Sequence, residues 1–385
     1  MERLWTKPFI LMTVSLLFLF TSFYMLYPTM PLYIVELGGN ESHVGLAMGA
    51  FMLAAVCVRP FVGALLDRFG RKSFILWGLI LFSVAMISYQ FAYGLIALVV
   101  FRVIHGVSWG VSTTAVLTTV TDLIPEKRRG EGLGWSGMAM TISMAIGPMI
   151  GVWFVEGFSF TFLFVSGTIL ALVALVLASR VNVAFAKPVS SGKKLILFDK
   201  QIIPISVSTF FVFVSYGGIT TFIPLYAASI SFHSGTFFFI YALTLLLTRP
   251  VAGMLADRYS DKMVIVPALG VTTVALVILA FFPSATGMIV ASILYGIGFG
   301  SVQPALQATT IRRVATERIG SANASFSTAT DLGIGLGAML LGVVSQFTSF
   351  RMLFLVSAMS VLLSLLVFTV IKRNEKVKEN TRKTA

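Results

Sequence analysis

Asp331 stands inside an apolar run, well away from either end of it. The other fourteen of the fifteen acids fall in tails, in short polar stretches or near the ends of such runs. Taking a carboxylate out of water favours its neutral form. An isolated aspartate in that position can therefore load and release a proton, and a functional role is the default reading. The same residue could instead be the fixed partner of Arg249 or Arg102, or part of a polar network. Arg102 and His105 form a second candidate. They lie three residues apart in another apolar run, which puts both on one face of a helix. An arginine there is costly unless it is paired, hydrated or held by carbonyls. Histidine changes charge near neutral pH, and it serves equally well as a hydrogen-bonding core residue.

A different chemistry, electrostatic latching, is written in Gly63-Ala-Leu-Leu-Asp67-Arg68-Phe-Gly70-Arg71-Lys72. Asp67 can face the N-terminal dipole of a neighbouring helix or pair with an arginine, and so hold one conformation shut. Gly63 would let a helix end pack closely on a neighbour, and Gly70 permits the positive φ of a tight turn. A second copy, Gly253-Met-Leu-Ala-Asp257-Arg258-Tyr-Ser-Asp261-Lys262, lies 190 residues on. Each copy follows an Arg-Pro pair, Arg59-Pro60 and Arg249-Pro250. Ser260 and Asp261 replace Gly70 and Arg71, which predicts a weaker second latch. Gly106, Gly110 and Gly147 likewise precede Gly296, Gly300 and Gly337 by 190 residues. Pro31-Leu-Tyr33 precedes Pro224-Leu-Tyr226 by 193. Internal duplication of an apolar chain is the organisation of a secondary transporter.

The elements that must position these groups are membrane helices. Of 385 residues, 57% are hydrophobic and 11% charged, with mean hydropathy +0.94. A soluble domain carries about 25% charge. A span needs about 20 apolar residues. That rule predicts twelve spans, at roughly 8–28, 43–66, 73–93, 95–119, 133–155 and 159–179, then 202–226, 234–256, 263–282, 285–310, 320–345 and 350–371. The first run is too long for a signal peptide and is read as a span. Residues 181–201 form a polar linker between an N-terminal bundle, 1–180, and a C-terminal bundle, 202–371. Residues 372–385 form a charged tail, expected to be disordered.

Even-numbered returns place 24 of the 28 basic residues on one side; the opposite loops hold Arg351 alone, and Arg59, Arg102 and Arg249 fall within spans. That asymmetry predicts cytoplasmic termini. It also accounts for the net charge of +13 without nucleic acid as a partner. The single cysteine, Cys57, allows no intrachain disulfide.

The turn Gly63-x3-Asp67-Arg68-x-Gly70-Arg71-Lys72 resembles the loop motif of the major facilitator superfamily. The resemblance runs through essentially the whole chain. It implies an all-α integral membrane fold of twelve transmembrane helices in two pseudo-repeated six-helix halves, working by alternating access. Leu98-x3-Arg102-x2-His105-Gly106-Val-Ser-Trp109-Gly110 resembles a fourth-helix motif of proton-driven drug exporters, with His105 where glutamine is common. That resemblance makes Arg102 a helper of proton transfer. Ser143-x3-Gly147-Pro148-x2-Gly151 resembles the fifth-helix motif of the antiporter branch, with Ser143 and Val152 where glycines are usual. Relatives that use acids for coupling place them in the first or seventh helix, not where Asp331 lies.

Tyr24, Tyr27, Trp109, Trp135, Tyr216, Tyr241, Tyr295, Gln303, Gln307 and Asn323 could line a substrate cavity. Aromatic walls with few polar groups suit greasy, planar or cationic molecules, although aromatics also fill any helix bundle. The sequence shows no metal-ligand cluster, phosphate loop or Walker lysine, so neither a cofactor nor ATP is expected. The chain reads as a multi-pass, monomeric, bacterial plasma-membrane protein whose partners are a small molecule, protons and lipid. The favoured activity is proton-coupled efflux. Import of a metabolite by symport or facilitated transport is the alternative, followed by a receptor or scaffold that moves nothing. No catalytic pair sits at one depth, so an enzyme is not expected.

Overall fold

The computed structural model describes residues 3–125, 128–182, 202–258, 261–314 and 319–384. Helices account for nearly all of them, and there is no strand among the described residues. The first half contains α1 (Lys7–Tyr24), α2 (Leu26–Glu36), α3 (Glu41–Phe69), α4 (Arg71–Ser88), a 3-10 turn (Tyr89–Phe91), α5 (Leu95–Asp122), α6 (Arg129–Gly157) and α7 (Phe160–Ser179). The second half contains α8 (Ile203–Ser229), α9 (Ser234–Arg258), α10 (Asp261–Phe281), α11 (Ala285–Arg312), α12 (Ile319–Phe347) and α13 (Phe350–Thr384). With α1 and α2 taken as one span, twelve helical stretches among the described residues are long and apolar enough to cross a membrane. The chain divides into two compact units, Met1–Lys193 and Lys194–Ala385. Most of the expected linker, 183–201, lies outside the described residues.

Two boundaries differ from the sequence expectation. The first span is longer, Lys7–Glu36, and is interrupted at Met25. Pro28 has no N–H to give the Tyr24 carbonyl, so the helical ladder loses a rung there. The last helix does not stop near residue 371 but continues to Thr384. Its apolar span ends at Val370, and the Lys, Arg and Glu that follow are good helix formers.

Each half uses the same packing plan. In the first, α1 packs on α6 and α7, α3 on α5, and α4 on α5 and α7. In the second, α8 packs on α12 and α13, α9 on α11, and α10 on α11 and α13. The repeat holds down to single contacts. Phe23 stacks on Trp109 at 3.8 Å between ring centroids, and their counterparts Tyr216 and Phe299 stack at 4.6 Å. Ser15 Oγ donates to the Ala174 carbonyl, and Ser208 Oγ lies 2.7 Å from the Oγ of Ser364, the residue matching Ala174. Tyr33 Oη donates to the Tyr89 carbonyl and Tyr226 Oη to the Leu279 carbonyl, both at 2.9 Å. Large apolar side chains such as Trp77, Trp153, Leu247 and Leu366 are exposed on the helix surfaces, as lipid rather than water requires.

Glycines set the closest approaches. A Cβ at Gly106 would overlap the carbonyl of Phe51, and one at Gly296 would lie 2.8 Å from Thr244 Cβ. Gly63 is expected at a close approach, yet an added Cβ there, as at its counterpart Gly253, would meet no described atom within 4 Å. They end no close helix contact. Gly70, between α3 and α4, has φ 85° and ψ 164°, a backbone that favours glycine.

Candidate functional site

In the first half the proton-chemistry candidates meet at one hydroxyl. Arg102 and His105 leave the same face of α5, and Tyr89 comes from the 3-10 turn at the end of α4. Tyr89 Oη lies 2.9 Å from His105 Nδ1 and accepts from Arg102 Nη1 at 3.5 Å. Arg102 Nε donates to the Ala47 carbonyl at 3.3 Å, and its guanidinium stands 4.3 Å from the Phe51 ring centroid. Arg102 is 2% exposed and His105 fully buried. Among the described residues Arg102 has no carboxylate partner. Within its own half it is anchored by a carbonyl, a hydroxyl and a ring. His105 Nε2 and Trp109 Nε1 are buried without a protein hydrogen bond among those residues.

The sequence alone does not single out Tyr89. It lies in a short turn, and its repeat counterpart is Leu279, so neither periodicity nor duplication marks it. A signal does exist for the partners of the other intramembrane arginines. Arg59 Nη2 donates to Thr113 Oγ1 at 3.4 Å, and Arg249 hydrogen-bonds Gln303, each partner lying 54 residues further on.

In the second half Asp331 lies inside α12 and is 8% exposed. It sits beside the tight α8–α12 contact, where a Cβ on Gly333 would stand 2.6 Å from the Phe210 carbonyl. Buried Tyr216 and Tyr295 each stack on Phe299, and Tyr295 Oη lies 3.1 Å from Ser215 Oγ. Tyr241 packs against Tyr295. The proposed lining residues thus divide. Tyr27, Trp109, Tyr216, Tyr241 and Tyr295 are enclosed within a half. Tyr24, Gln303 and Gln307 are half-buried, while Trp135 is 41% exposed against Trp5. The side chain of Asn323 lies outside the described residues.

The antiporter-like stretch of α6 forms the seat for the interruption in the first span. Ser143 Oγ donates to the Leu17 carbonyl at 2.8 Å, with Thr21 Oγ1 3.0 Å away. Further along, a Cβ on Gly147 would stand 2.6 Å from Tyr24 Cβ, and one on Gly151 would overlap the Met25 carbonyl. Pro148 lies between them inside the helix.

The charged turns tie helix ends together. Arg71 pairs with Asp122 at the end of α5, and Lys72 hydrogen-bonds Asn182 beyond α7. Arg68 lies over the Phe69 ring at 5.1 Å. The side chains of Asp67, Asp257 and Arg258 lie outside the described residues. In the second copy Asp261 is not a lost cation. It pairs with Arg312 at 2.7 Å, and Arg312 occupies the place of Asp122. The ion pair is kept with its polarity reversed, so Asp261 itself gives no reason to expect a weaker second turn; Ser260, the other replacement, lies outside the described residues.

Comparison with known proteins agrees with this architecture. The sequence pattern of the Major Facilitator Superfamily matches residues 12–235 and 205–385. A staphylopine export protein of Staphylococcus aureus is 27% identical, covering 94% of this chain and 95% of its own. A homologue of the multi-drug resistance efflux pump PmrA from Lactococcus lactis is 26% identical, covering 90% of each. A crystal structure of the nucleoside transporter NupG superposes with TM-score 0.72 at 16% identity, covering 95% of this chain and 99% of that one. At that identity the likeness speaks for the fold alone.

Proposed function

The chain belongs to the Major Facilitator Superfamily, and on that premise we propose that it is a proton-coupled exporter of a small, lipophilic or drug-like molecule. The observation that carries the coupling is Asp331, a carboxylate held 8% exposed inside a membrane helix. Every other described acid lies at or near the end of its span. A group in that position changes charge only if a proton accompanies it. Substrate entering from the cytoplasmic side displaces the proton. Reprotonation from the opposite side then releases substrate. One elementary charge crossing 100 mV supplies about 2.3 kcal/mol, enough for roughly 50-fold accumulation before the pH difference adds to it.

The direction of transport rests on the relatives that are named exporters and efflux pumps and on the antiporter-like seat in α6. Arg102 and His105 act with Tyr89 as a fixed polar centre in the first half, and Arg102 keeps that centre cationic. The placement of 24 of the 28 basic residues on one side supports cytoplasmic termini in a bacterial plasma membrane.

Purified protein in liposomes with an imposed inward proton gradient tests this reading. The probes are lipophilic cations, quinolones, tetracyclines and small metabolites. One class should collapse the gradient. Asp331→Asn should stop that collapse while substrate counterflow continues. Collapse that persists in the variant would move the coupling away from Asp331. A panel with no active member would remove the exporter reading and turn the search to imported nutrients.

A further inference from the structure

A pocket of about 220 Å³ opens at the end of the second half that lies opposite the basic loops, lined by Tyr226, Leu279, Ala280, Phe281, Pro283 and Arg351. Arg351 is the one basic residue that the sequence places in the loops of that side. Its guanidinium lies 4.4 Å from the Phe281 ring centroid, which holds the head group at the pocket. Among the described residues nothing accepts a hydrogen bond from it. The polar wall is already satisfied, because Tyr226 Oη donates to the Leu279 carbonyl. No acid lines the pocket, and none occurs in the second-half loops of that side.

The repeat supplies a control. The first half builds the same aromatic nest, with Tyr33 donating to the Tyr89 carbonyl and packing against Phe160 and Phe164 at 4.9 and 5.2 Å. Tyr226 packs in the same way against Phe350 and Phe354 at 5.7 and 4.9 Å. The residue matching Arg351 is Thr161, 190 positions earlier. The nest therefore does not require the arginine, and the arginine is an addition to one half. The flanking helices present exposed Val274, Val277 and Phe281 on α10 and Met352, Met359 and Leu366 on α13. Such faces belong against acyl chains.

We propose that this pocket binds the phosphate of an anionic phospholipid headgroup in the leaflet opposite the basic loops. A planar fork with free N–H donors suits two phosphate oxygens. The absence of a nearby acid leaves nothing to attract the cationic end of a zwitterionic headgroup. The acyl chains would run along Val277 and Met359.

The test uses the full chain in nanodiscs containing a headgroup-photoreactive phosphatidylglycerol, with cross-linked peptides identified by mass spectrometry. Labelling should fall on the peptides that carry Phe281–Pro283 and Phe350–Arg351. Arg351 is exposed, so Arg351→Gln should fold normally, yet its labelling at these two peptides should drop about tenfold, the scale of a charge-assisted hydrogen bond. Arg351→Lys, which keeps the charge and loses the fork, should fall between the two. Unlabelled phosphatidylglycerol should compete better than phosphatidylcholine of the same chains. Unchanged labelling in Arg351→Gln, or equal competition by the two lipids, overturns the proposal. So does displacement by inorganic phosphate at the same concentration, which would show a site for the free ion.

Discussion

Tyr89 shows how much one hydroxyl can organise inside a membrane bundle. It serves the ring nitrogen of His105 and an N–H of Arg102 at once, and both of those residues are buried. Tyr89→Phe keeps the ring in place and leaves two buried polar groups short of a partner. The cost should be about 1–3 kcal/mol, read as a lower melting temperature in detergent. A variant that melts like the parent would show that the hydroxyl is not what holds the centre. Asp331→Asn has the opposite signature, because it removes the group that can exchange a proton and leaves an amide able to hydrogen-bond. Stability should hold and coupled proton movement should be lost, as gradient collapse and counterflow together would reveal. Arg102 and His105 were legible in the sequence as charged or titratable residues in an apolar run. Tyr89 was not, because it becomes their neighbour only when the end of α4 folds back against α5.

Between elements, the decisive features are glycines whose missing Cβ lets one helix seat on another. The repeat pairs Gly110 with Gly300 by position, and the structure separates them. A Cβ at Gly110 would stand 2.7 Å from the Ala55 carbonyl, whereas at Gly300 the nearest atom, Leu245 Cα, lies 3.4 Å away. Gly106→Ala and Gly110→Ala should therefore each cost about 1–3 kcal/mol through overpacking. Gly300→Ala should be close to neutral. Thermal stability followed by fluorescence-detected size exclusion distinguishes the two, and equal losses at Gly106 and Gly300 would contradict the geometry. Spans and their repeat were legible because hydrophobic length and spacing are properties of the chain itself. Which glycine bears a close contact was not, since that depends on the facing helix. The same limit explains Gly63, placed at a close approach by its motif and found with no described atom within 4 Å of an added Cβ. It explains the interruption at Met25 only in part. Pro28 announces a lost hydrogen bond, but nothing local says that Gly151 of α6 will receive the exposed turn.

At the scale of the whole chain, two six-helix units share one plan, and the plan tolerates reversal of an ion pair. Arg71–Asp122 and Asp261–Arg312 occupy equivalent positions with opposite polarity. Reading along the chain, Asp261 looks like a damaged motif, because the residue that restores it lies 51 positions further on. Arg71→Asp and Asp122→Arg should each set like charges together at partly exposed positions and lower stability by about 0.5–1 kcal/mol. The double exchange should recover most of that loss, which a double-mutant cycle measures. Additive losses would show that the pair does not interact. The reversal also bears on how such a chain is made. Two related bundles emerge from one ribosome, and helices of the first could be captured by those of the second. A crossed assembly would set Arg71 against Arg312 and Asp122 against Asp261. Opposite polarities thus set like charges together in a crossed pairing and bias each bundle toward its own helices. The double exchange in the first half gives both pairs one polarity and erases that bias. Its correctly folded molecules should melt normally, yet the fraction of newly made chains reaching that state should fall.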